Sequence, residues 1–476
     1  MINTKALREK ILDLAMHGKL VPQDPTDEPA SVLLDKIKEE KEQLIKDKKI
    51  KKEKPLPKIS KEEIPYEIPD SWEWVRMVDI QDVRDGTHDT PKYVTEGVPL
   101  ITSKNLKGNQ ISFENVKYIS VKDAEKIDQR SKVSNGDILF AMIGTIGNPV
   151  LVQTHKRLSI KNVALLKQFS NKPINKFVLR YLQFQQEIMK KNSAGGLQKF
   201  YSLTMIRKML CPLPPLYEQK RIVAKIEELF ALIDTIESNQ LEFKQLTEQL
   251  DKKILDLAMH GKLVPQDPTD EPASVLLDKI KEEKEQLIKD KKIKKEKALP
   301  EISKEEIPYE IPDSWEWVSI RDISTITMGQ APKSSNVNNE GNGFEFHQGK
   351  TFFSSMYVEQ SGVYTTSPNK VINPPAIIMS VRAPVGDVNL IDRKIVIGRG
   401  LAAFVPGNGI ELLFLYNYLQ TQKSYLLSLS TGTTFKAINS QTVRTINVPL
   451  PPLKEQKRIV AKIEMIRESI QRIDFE

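Results

Sequence analysis

From Ile222 onward the chain places a stripe in alternating steps of four and three: Ile222, Ile226, Leu229, Ile233, Ile236, Gln240, Phe243, Thr247, Leu250, Ile254 and Leu257. Nine of these eleven residues are apolar. So narrow a stripe is the seam of a coiled coil, not the wider apolar face of an ordinary surface helix. The C-terminus repeats the first half of the seam at Ile459, Ile463, Ile466, Ile470 and Ile473, and the N-terminus repeats its second half at Thr4, Leu7, Ile11 and Leu14. The spacing predicts antiparallel helices of about 40 residues, about 60 Å long at 1.5 Å per residue. His17-Gly18-Lys19 and His260-Gly261-Lys262 supply glycine stops after the seam. A second helix is predicted to start at Asp27 or Glu28 with Pro29. The Glu/Lys run from Lys36 to Lys54 reads as its solvated part, with i,i+4 pairs, until Pro55, Pro57, Pro65 and Pro69 end it.

These elements are written twice. Residues 10–75 recur as 253–318 with only Pro55/Ala298 and Lys58/Glu301 changed, a constant offset of 243. PLPPLYEQKRIVAKIE at 212–227 recurs at 449–464 with only Tyr217/Lys454 changed, at an offset of 237. Under these offsets Glu476 corresponds to Asn239 and Met1 to Lys244, so the two ends together rebuild the central helix without residues 240–243. The pattern predicts two half-molecules about a pseudo-two-fold axis, circularly organised, with the termini close together.

Between the repeats lie two segments, 76–211 and 319–448, that share little residue by residue. Both nevertheless run strand, turn, strand, helix, glycine-rich turn, strand. GDILFAMIGTIGNPVLVQ (136–153) and NPPAIIMSVRAPVGDVNLI (373–391) are the apolar strands with their turns, and each is followed by a helical patch. SAGGLQKFYSLTMIRKM and STGTTFKAINSQTVRTI then carry the glycine-rich turns. The fold class is α+β, two α/β domains joined by long helices. The expected boundaries are 1–60 for an N-terminal helical frame, 61–215 for a first domain, 216–303 for a central frame, 304–452 for a second domain and 453–476 for a closing helix.

Charge sharpens this division. Residues 76–214 hold 22 Lys+Arg against 11 Asp+Glu, and residues 319–448 hold 11 against 7. Those sums are +11 and +4, so a net charge of +8 leaves −7 for the frame. Two basic segments on a mildly acidic frame suggest a polyanion met at two places. One cysteine, Cys211, excludes an internal disulfide and fits a reducing cytoplasm. No apolar run suits a membrane span, and the N-terminus lacks the apolar core of a signal peptide.

The opening WEWVRMVDI and WEWVSIRDI, the GDIL strand with its glycine turn, RAPVGDV with IGRGLAA, the closing PLPPL-x-EQKRIVAKIE and the frame's HGKLVPQDPTDEPASVLL resemble the DNA-specificity subunit of type I restriction-modification systems, over nearly the whole chain. The resemblance implies a subunit without catalysis of its own. Each variable segment would be a target-recognition domain for one half of a split, asymmetric site in double-stranded DNA, and the helices would set the unread spacer. Two methyltransferase subunits would dock on the frame and two motor-nuclease subunits would join them. S-adenosylmethionine, ATP and Mg would be held by those partners and not by this chain.

Lookalikes of catalytic motifs are weak. Asn373-Pro374-Pro375-Ala376 has alanine where an amino-methyltransferase stacks an aromatic on the flipped base, so it reads as a turn entering a strand. No P-loop pattern occurs. His17 and His260 read as packing or cap residues, His88 and His347 as surface positions, and none of the five histidines has metal-ligand spacing. A self-sufficient methyltransferase or nuclease, and a coiled-coil scaffold without DNA specificity, are the alternative functions. For DNA contact the candidates are loop residues that could reach groove edges or phosphates. In the first domain they are Thr87, His88, Lys92, Ser103, Lys104, Asn105, Gln198 and Lys199. In the second they are Lys333, Ser334, Lys350, Arg382, Arg399, Thr433, Thr434 and Lys436.

Overall fold

Two helices open the chain, α1 (Thr4–Met16) and α2 (Ala30–Lys46). The structure, a computed structural model, describes residues 2–143, 146–169, 174–191, 200–291, 302–431 and 436–475. α1 stops as its glycine predicts. Gly18 lies at φ 66 and donates to Ala15 O at 3.2 Å, while Lys19 donates to Leu14 O at 2.8 Å, which satisfies two carbonyls of the last turn. A Cβ on Gly18 would also collide with the Pro69 ring. α2 is shorter than its charge run suggests and ends before Lys54. Lys48 takes the left-handed position (φ 58) that glycine takes in α1 and donates to Ile45 O at 3.0 Å. Beyond this point Ile50 turns back to pack against the core, and a continued helix would leave its apolar side chain without that partner.

The chain divides into two units, residues 2–240 and the residues from 241 on. In the first, strands Gln81–Asp85, Val163–Gln168, Ile138–Ala141 and Gly147–Leu151 form, in that order, an antiparallel sheet. Both of its faces are covered. Ile138 and Phe140 join a core with Leu12, Met16, Leu33, Ile37 and Ile222, whereas Leu139 and Ala141 pack with Ile101, Val150 and Leu165. Burial on both sides is why the strand reads as an unbroken apolar run rather than an alternating one. Helix α3 (Asn175–Lys191) adds Phe177 and Tyr181 to the frame side. The segment closes on itself where Glu73–Arg76 pairs with Leu210–Leu213, so that the WEWV opening meets the PLPPL closing.

The seam forms one continuous helix, α4 (Leu216–Met259), of 44 residues, about 66 Å at 1.5 Å per residue. Between residues 231 and 250 the side chains that are not exposed are Ile233, Ile236, Gln240, Phe243 and Thr247, all of them seam positions. In the first unit α1 runs antiparallel to α4: Arg8 pairs with Asp234 at 2.6 Å and Glu237 at 3.2 Å, and the Gln240 amide donates to Ile2 O at 3.4 Å. The second unit repeats the short frame helix as α5 (Ala273–Lys289), again ended by a left-handed lysine, Lys291 at φ 57.

The second unit's main sheet has the same order in Ser324–Met328, Leu401–Pro406, Ala376–Ser380 and Val388–Ile391, all antiparallel. Helix α6 (Leu412–Thr421) buries Phe414 and Tyr418 against it, and Glu316–Ser319 closes on Asn447–Leu450. Each unit also has a small second sheet with one parallel pair, Val98–Ile101 with Ser159–Ile160 and Phe344–His347 with Ile395–Ile397. The closing helix α7 (Leu453–Phe475) packs on the latter part of α4, with Arg467 Nε 2.7 Å from Asp251 Oδ1. By the two repeat offsets, Asp251 and Arg467 correspond to Arg8 and Phe230, where Arg8 lies 5.0 Å over the Phe230 ring. One seat thus holds an ion pair in one unit and a cation over an aromatic face in the other. The expected nearness of the termini concerns Met1 and Glu476, which lie outside the described residues.

The repeated motifs meet in a polar knot. In the first unit Trp72 Nε1 donates to Glu218 Oε2 at 2.9 Å, Gln23 Nε2 donates to Glu218 Oε1 at 2.6 Å, and Arg221 pairs with Asp27 at 2.7 Å. Trp315, Gln266, Glu455, Arg458 and Asp270 repeat it in the second. His17 and His260 are cap and packing residues as expected: each Nδ1 lies 2.7 Å from the carbonyl oxygen four residues earlier, and the rings lie against Tyr66 and Tyr309. His347 is not a surface residue. It is buried, with Nε2 2.8 Å from Glu345 Oε1, because it ends a strand inside the second sheet.

Candidate nucleic-acid interface

An antiparallel sheet gathers alternate connections at each end, and in both units the candidate loops gather at one end. In the first unit that end carries residues 86–92 after Asp85, 158–162 before Val163 and Met142–Ile143 after Ala141. Three backbone hydrogen bonds weld it, Gly86 N to Val163 O at 3.0 Å, Thr87 N to Ile160 O at 3.0 Å and Lys161 N to Ile101 O at 2.9 Å, and Asn162 N to Thr87 O at 3.1 Å adds a fourth. The second unit has the same three, from Gly329 N to Leu401 O at 2.9 Å, Gln330 N to Ile397 O at 3.0 Å and Gly398 N to His347 O at 2.8 Å. Glycine is needed at 86 and 329, because a Cβ there would strike the carbonyl oxygen of Ile160 or Gly398.

In the first unit Ile143, Lys161 and Asn162 of this end share a cleft of about 660 Å3 with Ser103, Lys104, Lys107 and Lys117. Thr87 is half-buried, its backbone held by Ile160, while Lys92 and Lys104 are exposed. His88 is exposed and bridges two groups, with Nε2 2.8 Å from Asp85 Oδ2 and Nδ1 3.0 Å from Asn162 Oδ1. Arg130 also pairs with Asp85. Asn105 needs correcting: it is 8% exposed, accepts from Thr102 N at 3.0 Å and Thr102 Oγ1 at 2.9 Å, and donates to Ser112 O at 3.1 Å. Its amide braces the loop and does not reach outward. Gln198 and Lys199 lie outside the described residues, but the adjoining Phe200 bridges to Ile143 on the cleft wall.

In the second unit Lys333, Ser334, Arg382, Arg399 and Lys436 are exposed. Val381 N donates to Gly400 O at 2.9 Å and Ala383 N to Lys436 O at 2.9 Å, which brings the loops of Arg382, Arg399 and Lys436 together. Thr433 and Thr434 lie outside the described residues. Lys350 is a second correction, since it is half-buried and paired with Asp387, which Lys423 also holds at 2.6 Å. Burial raises the Asp387 carboxyl, but the two lysines outweigh it and keep the group below its ordinary value. Asn373-Pro374-Pro375-Ala376 enters its strand at the opposite end of the sheet, away from these loops.

Sequence reasoning missed Lys107, Lys117, Lys161, Asn162, Gln330 and Gln348. Lys161-Asn162 had a usable signal: it precedes an apolar strand where the other segment has Gly398-Arg399-Gly400. Among the described residues no helix is long and apolar enough to cross a membrane, and no group of three or more His, Cys, Asp or Glu side chains could hold a metal ion.

The comparisons with known proteins agree with this architecture. The family described as type I restriction modification DNA specificity domain matches residues 69–244 and again 312–473. The type I restriction enzyme EcoAI specificity subunit of Escherichia coli is 31% identical over 99% of this chain and 90% of its own. A putative type I restriction enzyme MjaX specificity subunit of Methanocaldococcus jannaschii is 31% identical over 85% and 89%. Among solved structures, a chain of a type I R-M system matches with TM-score 0.60 and 26% identity over 86% of this chain and 93% of that one. The HsdS subunit from Thermoanaerobacter tengcongensis matches with TM-score 0.51 and 25% identity, over 86% and 92%. With two specificity domains on a repeated frame, the chain belongs to the family of type I restriction-modification DNA-specificity subunits.

Proposed function

We propose that the chain reads a split, asymmetric DNA site, one half with each recognition domain, while its helical frame fixes the spacer and docks the partners that act on the DNA. Two methyltransferase subunits bind the frame and two motor-nuclease subunits join them. S-adenosylmethionine, ATP and Mg belong to those partners, and this chain takes no catalytic step. One observation carries the reading, the contrast between frame and loops. The 66 frame residues from 10 to 75 recur with two changes, whereas the welded loops present Thr87-His88 and Lys161-Asn162 in one domain and Gln330-Ala331 and Gly398-Arg399 in the other. A repeated frame suits two identical partners, and unlike loops at one place in the fold suit unlike half-sites.

The test is to map methylated adenines in DNA from cells that express this chain with its modification subunit. A split motif is expected, and exchanging residues 76–211 for those of a relative should change one half of it and leave the other. A contiguous motif, or change in both halves, would overturn the reading. Methyl transfer by the purified chain alone would support a self-sufficient enzyme instead.

The cleft lysines should act on affinity without regard to sequence. Replacing Lys104 and Lys117 with alanine is expected to weaken binding to all duplexes alike and to lower the slope of log K against log salt by about 0.9 for each phosphate no longer neutralised. Unchanged slopes in both variants would place the phosphate-binding groups elsewhere.

A further inference from the structure

The hydrogen bonds that weld the two loop ends give a residue-by-residue equivalence that the sequence hides. Gly86 matches Gly329, Thr87 matches Gln330, and Ile160 matches Ile397, since each member of a pair makes the same backbone bond. Counted from these carbonyls, Asn162 stands two residues beyond Ile160 and Arg399 two beyond Ile397, in a loop that is one residue longer because Gly400 precedes Leu401, the match of Val163. We infer that this shared loop position is a base-reading position, an asparagine for adenine in the first domain and an arginine for guanine in the second, and that His88 is the positioning residue for Asn162.

The chemistry follows from donor and acceptor inventories. Asn162 borders the lysine cleft, and its backbone lies at φ 54, a left-handed conformation that asparagine tolerates. Its amide carries two donors and two acceptor sites. His88 Nδ1 lies 3.0 Å from Asn162 Oδ1 and takes one lone pair of that oxygen, and the other lone pair with an amide N–H forms the fork that matches N6 and N7 of adenine in the major groove. His88 is itself oriented by Asp85, which is 4% exposed and pinned from its other oxygen by Arg130. The asparagine is therefore held against rotation before DNA arrives, which reduces the ordering cost of binding. In the second domain the residue matching His88 is Ala331, and Arg399 projects from between two glycines with an exposed side chain. A guanidinium suits O6 and N7 of guanine, and its planar fork presents both donors in a fixed geometry.

The inference rests on the bipartite reading above, and the test separates the two. The full chain is expressed with its modification subunit, methylated motifs are mapped, and the purified chain is used to select from duplexes randomised in one half-site. Asn162→Asp keeps the shape but removes the N–H of the fork. Its preference for adenine at one position of the first half-site should fall by about 5- to 150-fold and move toward cytosine, whose amino group a carboxylate accepts. Asn162→Gly, at ease at φ 54, should lose the preference at that position without replacing it. His88→Ala should relax the same position and no other, whereas a merely structural role would lower affinity for every sequence equally. Arg399→Gln should move one position of the other half from guanine toward adenine. If the wild-type motif is split but Asn162→Asp and Asn162→Gly leave every base preference unchanged, this inference fails and the bipartite reading stands. A wild-type chain without preference in either half removes both.

Discussion

A Trp72→Ala variant is expected to lose about 3–5 kcal/mol, as large aromatic deletions from packed cores do, and to lower the melting transition of the first unit while leaving that of the second. Trp72 is 4% exposed, its ring lies edge-on to Phe177 at 6.3 Å, and its indole N–H is a donor to the buried carboxylate of Glu218. The deletion removes the packing and also leaves that carboxylate short of a partner. Trp315→Ala should have the mirror effect through Phe414 and Glu455. Trp72→Phe separates the two contributions, since it keeps a ring but deletes the donor, for an expected cost of about 1–3 kcal/mol. That cost carries a sign with pH. Burial raises the Glu218 carboxyl, against the hydrogen bonds from Trp72 and Gln23, so folding favours its protonated form. A raised folded-state pKa gives a contribution that is full below the unfolded value of 4.5 and lost as pH rises through the folded value. Without the indole donor the folded value rises further, so the Trp72→Phe penalty should grow from pH 4 to pH 7. Calorimetry across that range checks it, and a penalty independent of pH would mean that the indole N–H does nothing for the charged carboxylate.

The two parts of the knot differed in legibility for a physical reason. The tryptophan and the EQKR run were visible as repeated motifs, yet their meeting was not, because Trp72 and Glu218 are 146 residues apart and pairing at that distance leaves no periodic trace. Periodicity did reveal α4, since a seam repeats its demand for an apolar residue at every turn. It failed at Lys48, where only the backbone conformation ends α2 and the charge run gives no hint of a left-handed residue. The recognition loops show the same limit. Thr87, His88 and Lys104 were legible as polar residues between strands, and Asn105 looked no different from them. Whether an asparagine braces its own loop or faces outward depends on Thr102 and Ser112, whose positions only the fold supplies. Asn162 was hidden for the converse reason: its two-residue loop is too short to stand out, and its place beside His88 comes from the parallel bridge between Thr87 and Lys161.

Glu345→Gln is expected to destabilise the second unit at neutral pH and to have little effect near pH 2. Burial raises the Glu345 carboxyl, but Arg393 at 2.7 and 3.0 Å, the Ser361 amide at 2.8 Å and His347 at 2.8 Å outweigh it and bring the pKa down to about 2. A depressed folded-state pKa means stability that is present above the unfolded value of 4.5 and lost as pH falls toward about 2. A shift of that size corresponds to about 3 kcal/mol, which the glutamine variant should forfeit at pH 7 and the wild type should forfeit by itself in acid. Melting temperatures of both proteins at pH 7 and pH 3 should therefore converge as pH falls, and a gap of the same size at both would refute the assignment. The effect should also reach the DNA. Glu345 fixes strand Phe344–His347, and the carbonyls of His347 and Gln348 receive Gly398 N at 2.8 Å and Gly400 N at 3.1 Å, the two glycines that flank Arg399. Loosening the strand loosens the support of that arginine. Under conditions where Glu345→Gln remains folded, its selectivity should fall in the half-site read by the second domain, with the first half untouched. Equal loss in both halves would separate the buried network from the reading of bases.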